Sequence, residues 1–164
     1  AHRKLATPWG PTMNYKTLIA EFVGTFTLIF VGVLAIVHGK GELVTIALAH
    51  GLAIACMVSA TAAISGGHLN PAVSIAAFIS GKMKLTDALG YIAAQCLGGL
   101  AAAAALKGLL DPALLASGGW GVPALHETIA APTGLILEAF LTFFLVFVIF
   151  GTGIDPRARQ GGML

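Results

Sequence analysis

Charge is what this 164-residue sequence has least of: Asp, Glu, Lys and Arg together make up 10% of it. An ordinary soluble domain carries about a quarter of its residues as charges, so the composition excludes that class. Disorder is excluded as well, because it needs low hydrophobicity and high net charge, whereas 57% of these residues are hydrophobic and the net charge is +2. There is no arginine-rich block or basic face of the kind that binds nucleic acid. Cysteine is nearly absent. Cys56 and Cys96 both sit inside apolar stretches, where they are expected as small core hydrophobes rather than a disulfide framework or a metal site. No Ser/His/Asp or metal-ligand spacing stands out, so neither an enzyme nor a cofactor is expected. What is abundant is the long apolar run, and the chain reads as an all-α membrane protein.

A transmembrane helix needs about 20 mostly apolar residues to cross a hydrocarbon core about 30 Å thick. Windows 18–37, 43–64 and 88–106 meet that test, and a fourth at 134–150 extends to 154 through small residues. Residues 1–15 read as a polar, proline-containing tail rather than a signal peptide. Arg3, Lys4 and Lys16 precede the first span, Lys82 and Lys84 lie between the second and third, and Arg157 and Arg159 follow the fourth. Only Lys40 and Lys107 fall in the other two connections. Seven basic residues against two place the N-terminus in the cytoplasm. The connections at 39–42 and 107–133 then lie outside.

The segment 65–79, Ser-Gly-Gly-His-Leu-Asn-Pro-Ala-Val-Ser-Ile-Ala-Ala-Phe-Ile, is too apolar for a cytoplasmic loop and too short for a span. Asn is a strong helix N-cap, and Pro suits the first helical position because its missing N–H is no loss there. A helix over 71–79 would be roughly 13 Å long at ~1.5 Å per residue, about half a bilayer. Gly66 and Gly67 are expected to supply an extended approach to its start. Irregular backbone at that depth is tolerated only where protein buries it or it lines a wet cavity. A helix lying along the cytoplasmic interface is the plainer alternative.

The chain also repeats itself. Residues 18–33 laid on 135–150 match at eight of sixteen positions, including Glu21 with Glu138 and Thr25-Phe26 with Thr142-Phe143. Three spans separate the starts of the two copies, so the second enters the membrane from the opposite side, as in an inverted-topology repeat. A carboxylate inside a span is costly unless paired, hydrogen-bonded or facing water. Each Glu lies near the start of its span, where snorkelling to the interface would also serve. Their recurrence favours a buried role. On the third span Gly90, Ala94, Gly98 and Ala102 recur every four residues, a small-residue ridge that permits close helix contact within or between subunits.

Residues 65–74 resemble the first Asn-Pro-Ala loop of the aquaporin and glycerol-facilitator (major intrinsic protein) family. The surroundings agree: Glu21-x-x-x-Thr25-Phe26, Ala49-x-Gly51, Tyr91-x-x-Ala94-Gln95 and Glu138-x-x-x-Thr142-Phe143 occur in the family's order over about 16–159. The resemblance implies an aquaporin-like inverted-repeat helical bundle, here four transmembrane helices plus one re-entrant half-helix. Residues 16–164 would then be a partial domain, the first repeat with the first helix of the second. The sequence shows no second Asn-Pro-Ala loop, so it is expected as a fragment of a longer channel or a truncated form. Subunits of the family assemble as homotetramers in membrane lipid, with one pore each for water or small neutral solutes such as glycerol, urea or ammonia.

The same resemblance assigns residues. Asn70 would cap the half-helix and turn its NH₂ to the lumen, offering two donors and no charge. Gly66, Gly67 and His68 match positions whose carbonyls form a ladder of acceptors along the pore, the His68 side chain serving as packing or a brace. Pro71 and Ala72 start the half-helix. Glu21 and Glu138 would brace re-entrant loops, Glu138 mostly one absent here, and Gln95 would hydrogen-bond inside the bundle. His50 falls at the family's narrow outer constriction, where His resembles the plant tonoplast intrinsic proteins. His126 could echo a loop histidine of that subfamily, or simply be solvated.

A passive channel is the leading expectation, and a non-conducting subunit that assembles with full-length relatives is the alternative. A coupled transporter also uses inverted repeats, but no ion-coupling carboxylate cluster is present. The charge asymmetry makes one direct prediction. A cysteine placed in 107–133 should react with an impermeant thiol reagent added outside intact cells and one in the N-terminal tail should not; the reverse pattern overturns the assignment.

Overall fold

A computed structural model of the chain describes residues 12–39 and 42–155. Arg3, Lys4, Lys40, Arg157 and Arg159 of the topology signal lie outside the described residues. The elements in order are α1 (Tyr15–His38), α2 (Leu43–Ser65), α3 (Pro71–Ile79), α4 (Leu85–Leu109), α5 (Pro112–Ser117), a 3₁₀ turn (Gly119–Gly121) and α6 (Ala131–Ile149), which continues into a π-helical turn (Phe150–Ile154). No strand occurs among the described residues. Four helices, Tyr15–His38, Leu43–Ser65, Leu85–Leu109 and Ala131–Ile154, are long and apolar enough to cross a membrane. The fold is an all-α membrane bundle.

Helix ends follow local chemistry. α1 begins before its hydrophobic window because Asn14 and Thr17 form a capping box: the Asn14 side chain accepts from the Thr17 N–H at 3.2 Å, and the Thr17 hydroxyl accepts from the Asn14 N–H at 3.0 Å. α3 has the expected half-length, with Asn70 as N-cap and Pro71 in its first turn. The 107–133 segment, read from sequence as a polar loop, contains α5. There Asp111 accepts from the Ala113 N–H at 2.8 Å and Pro112 opens the helix.

The chain divides into two compact units, the first ending at Gly121 and the second beginning at Val122. In the first, α1 packs against both α2 and α4, and α3 against α4. Gly90 of α4 faces Met13 and Leu18, while Gly98 faces Phe22 and Phe26, so α1 and α4 run side by side in the same direction. A Cβ at Gly98 would lie 2.4 Å from the Phe22 carbonyl oxygen and 3.1 Å from the Phe26 nitrogen. Ala94, Gly98 and Ala102 are all buried, which assigns the small-residue ridge to contact within the chain. In the second unit Leu125 covers Gly134 of α6, and Phe140, Phe143, Phe144 and Phe147 are exposed.

Cys56 and Cys96 correct the sequence reading, since both are exposed rather than in the core. The reason is general to membrane helices. Their outer face is as apolar as their inner one, so an apolar neighbourhood in sequence is no guide to burial.

The Gly98 contact makes a stability prediction. Gly98→Ala should destabilise the detergent-solubilised protein by about 1–3 kcal/mol through overpacking. Gly108, with nothing within 4 Å, should gain about 0.5–1 kcal/mol on replacement by Ala. Unfolding midpoints of the two variants check both signs.

Candidate functional site: a braced half-helix loop

The chain between α2 and α3 turns on glycine. Gly66 closes α2 in the left-handed region at φ 93°, its N–H donating to the Ala62 carbonyl at 3.0 Å, and Gly67 follows at φ 66°. This corrects the expected extended approach at Gly66: both glycines take a positive φ, which Gly enters without a Cβ penalty. Leu69 is also left-handed, at φ 50°, which costs a non-glycine residue of order 1–3 kcal/mol and persists only where surroundings over-determine it.

Those surroundings converge on Glu21. Its side chain is fully buried, 0% exposed, a turn and a half into α1. Oε1 accepts from the Ser65 hydroxyl at 2.5 Å and the His68 N–H at 3.0 Å, and Oε2 accepts from the Leu69 N–H at 2.6 Å and the Gln95 amide at 2.7 Å. A carboxylate has about four lone-pair sites, and all are met. Glu21 therefore does not snorkel. Burial of such a group would be prohibitive unless it were hydrogen-bonded this way, and here four dipolar donors answer it.

The bracing spreads from this point. Thr25, one turn along α1, donates its hydroxyl to the Leu69 carbonyl at 3.2 Å, and the Leu69 side chain fills the space over Gly24. Tyr91 donates to the Ser65 carbonyl at 2.8 Å and meets the His68 ring edge-on, centroids 5.0 Å apart. Gln95 also donates to the Ser74 hydroxyl at 3.1 Å, which lies 3.0 Å from His68 Nδ1. His68 is 1% exposed, so its side chain is a wedge between the loop, α3 and α4. Thr25 and Tyr91 stand in the helix motifs quoted above, but nothing in the sequence marks them, Ser65 or Ser74 as hydrogen-bonding members of one network. The available signal was the one-turn spacing of Glu21 with Thr25 and of Tyr91 with Gln95 inside otherwise apolar spans.

Asn70 stands at the end of the braced segment, half-buried, with extended backbone. Its side-chain oxygen accepts from the Ala72 N–H at 2.9 Å, and its carbonyl accepts from the N–H groups of Val73 and Ser74. With the oxygen committed to the cap, the NH₂ points the other way and has no partner among the described residues. Gly66 and Gly67 are buried, and Pro71 and Ala72 half-buried.

His50 lies apart from this network, on α2. Its Nδ1 is 2.8 Å from the Ile46 carbonyl, and the half-buried ring packs over Gly32 of α1. Glu138 is exposed on α6, with no hydrogen bond among the described residues. His126 is exposed and makes a local turn contact with Thr128 at 2.9 Å. No group of three or more His, Cys, Asp or Glu is placed to hold a metal among the described residues.

The sequence pattern described as "Major intrinsic protein" matches residues 9–164. "Aquaporin TIP4-4" of Zea mays is 40% identical over 160 residues, covering 90% of this chain and 61% of that protein. "Aquaporin-4" of Mus musculus is 37% identical over 157 residues, covering 92% and 48% respectively. "Glycerol uptake facilitator protein-like 6" of Lactiplantibacillus plantarum is 40% identical over 134 residues, covering 82% and 62%. The chain thus spans less than two thirds of each of these relatives.

The Glu21 contacts make a sharp prediction. Glu21→Gln keeps the shape but turns an NH₂ toward two donors, and should cost about 2–4 kcal/mol. Glu138→Gln, at an exposed position, should move the unfolding midpoint little. Equal effects from the two changes would remove the special standing of Glu21.

Proposed function

The chain belongs to the major intrinsic protein family, and from that premise we propose that it forms the wall of a passive channel for water and small neutral solutes. The observation that carries this reading is Asn70. Its oxygen is held by the first turn of α3, which leaves an uncharged double donor at the N-terminal end of a half-length helix. That end bears a partial positive charge, and such ends are a general means of excluding protons and cations, aquaporins being a known instance. A passing water or small solute would meet donors at Asn70 and, by the same reading, carbonyl acceptors at Gly66, Gly67 and His68. Pro71 and Ala72 fix where the helix starts, and Glu21 and Gln95 hold the loop in place. His50, smaller than the Phe or Trp usual at that place in the family, would widen the outer constriction and add a hydrogen bond there.

In this reading residues 1–15 are a polar tail and 16–164 a partial channel domain, with the N-terminus in the cytoplasm. Subunits group in fours within the bilayer, and Glu138 serves a second loop.

Stopped-flow light scattering of proteoliposomes tests the proposal. Osmotic shrinkage should be several-fold faster than in protein-free vesicles, and Asn70→Asp should slow it and admit cations, because it exchanges donors for negative charge. Background rates for the unaltered chain would overturn conduction by this chain and favour a subunit that acts only in assembly with longer relatives. Parallel swelling assays with glycerol, urea and ammonia define the solute range.

A further inference from the structure

We propose that Gly32 is a positioning residue for the outer end of the passage: lacking a side chain, it lets the His50 ring lie back against α1. The inference rests on the reading that His50 lines that passage. A Cβ built at Gly32 would fall 2.3 Å from His50 Nε2, 2.8 Å from Cδ2 and 2.9 Å from Cε1. Three ring atoms occupy the space, so the ring itself fills the notch, with no flexible tip that could swing aside cheaply.

The other edge of the ring is tied to its own helix. Nδ1 lies 2.8 Å from the Ile46 carbonyl, one turn back on α2. A nitrogen at that distance from a carbonyl carries the proton, so in the neutral ring Nε2 is the acceptor. An imidazole has only two side-chain torsions, and this hydrogen bond together with the notch determines both. Gly32 is buried while His50 is half-buried, so one side of the ring is against α1 and another remains open.

A methyl group at position 32 cannot coexist with the ring where it stands. α1 cannot easily retreat, because the Gly98 contact seats its backbone against α4 on another side. The ring must therefore turn toward its open side. On the channel reading this narrows the passage and moves the Nε2 acceptor, with no change to any residue that touches solute. Gly32 thereby sets both width and polarity at that end.

The test compares the unaltered chain, Gly32→Ala, His50→Ala and the double variant in proteoliposomes. One readout is water permeability; the other is the rate at which diethyl pyrocarbonate modifies His50, read by mass spectrometry. Gly32→Ala should lower permeability by about threefold or more through this displacement, and His50 should be modified several-fold faster. His50→Ala and the double variant should conduct alike, since without the ring the methyl has nothing to displace. A double variant as slow as Gly32→Ala overturns the proposal, because the effect would then run through helix packing. Unchanged His50 modification in Gly32→Ala also overturns it. If the unaltered chain does not conduct, the channel reading fails while the modification rates alone decide the Gly32–His50 relation. If Gly32→Ala does not fold, rescue of folding by His50→Ala supports the steric contact, and failure of rescue overturns it.

Discussion

One buried carboxylate organises the first unit. Irregular backbone inside a bilayer has N–H groups that no neighbouring turn of helix can satisfy, and a carboxylate there has lone pairs that no water can reach. Glu21 and the 66–70 loop answer each other's deficit: the N–H groups of His68 and Leu69 end on its two oxygens, and Ser65 and Gln95 supply the other two donors. The end of α2, the loop and the middle of α4 are thereby referred to a single side chain of α1. Among the described residues the compensation is made by dipoles, with no lysine or arginine hydrogen-bonded to the carboxylate.

Such a network demands short distances between helix axes, and small residues provide them. Gly98 lets the α4 backbone come against that of α1, while Gly24 opens the space that Leu69 fills. These contacts bring Gln95 within 2.7 Å of Glu21 and hold Leu69 in a backbone conformation that it would otherwise avoid. Packing and polar satisfaction are therefore one constraint in this unit. Loosening the helices would lengthen every hydrogen bond to the carboxylate.

Much of this is legible in the sequence. Length and apolarity delimit the four long helices, and Asn70-Pro71 carries the local chemistry of a helix start, which is why the half-helix bounds could be read closely. What sequence alone does not reveal is sidedness. In a membrane helix the face toward lipid and the face toward protein are both apolar, so Cys56 and Cys96 look like core residues and are not. Glu21 and Glu138 share neighbours in sequence, yet one is enclosed and the other exposed, because enclosure comes from other elements. The handedness at Gly66-Gly67 and the ring over Gly32 depend on three-dimensional approach. Periodicity carries no trace of either.

The order of the chain gives the Glu21 network a history. α1 emerges from synthesis before the loop, and Gln95 and Tyr91 only after α3 is complete. Until α4 has entered the bilayer, the carboxylate lacks one of its donors and the loop lacks the tyrosine that ties down the end of α2. The network around the half-helix is therefore closed by a helix that follows it in the chain.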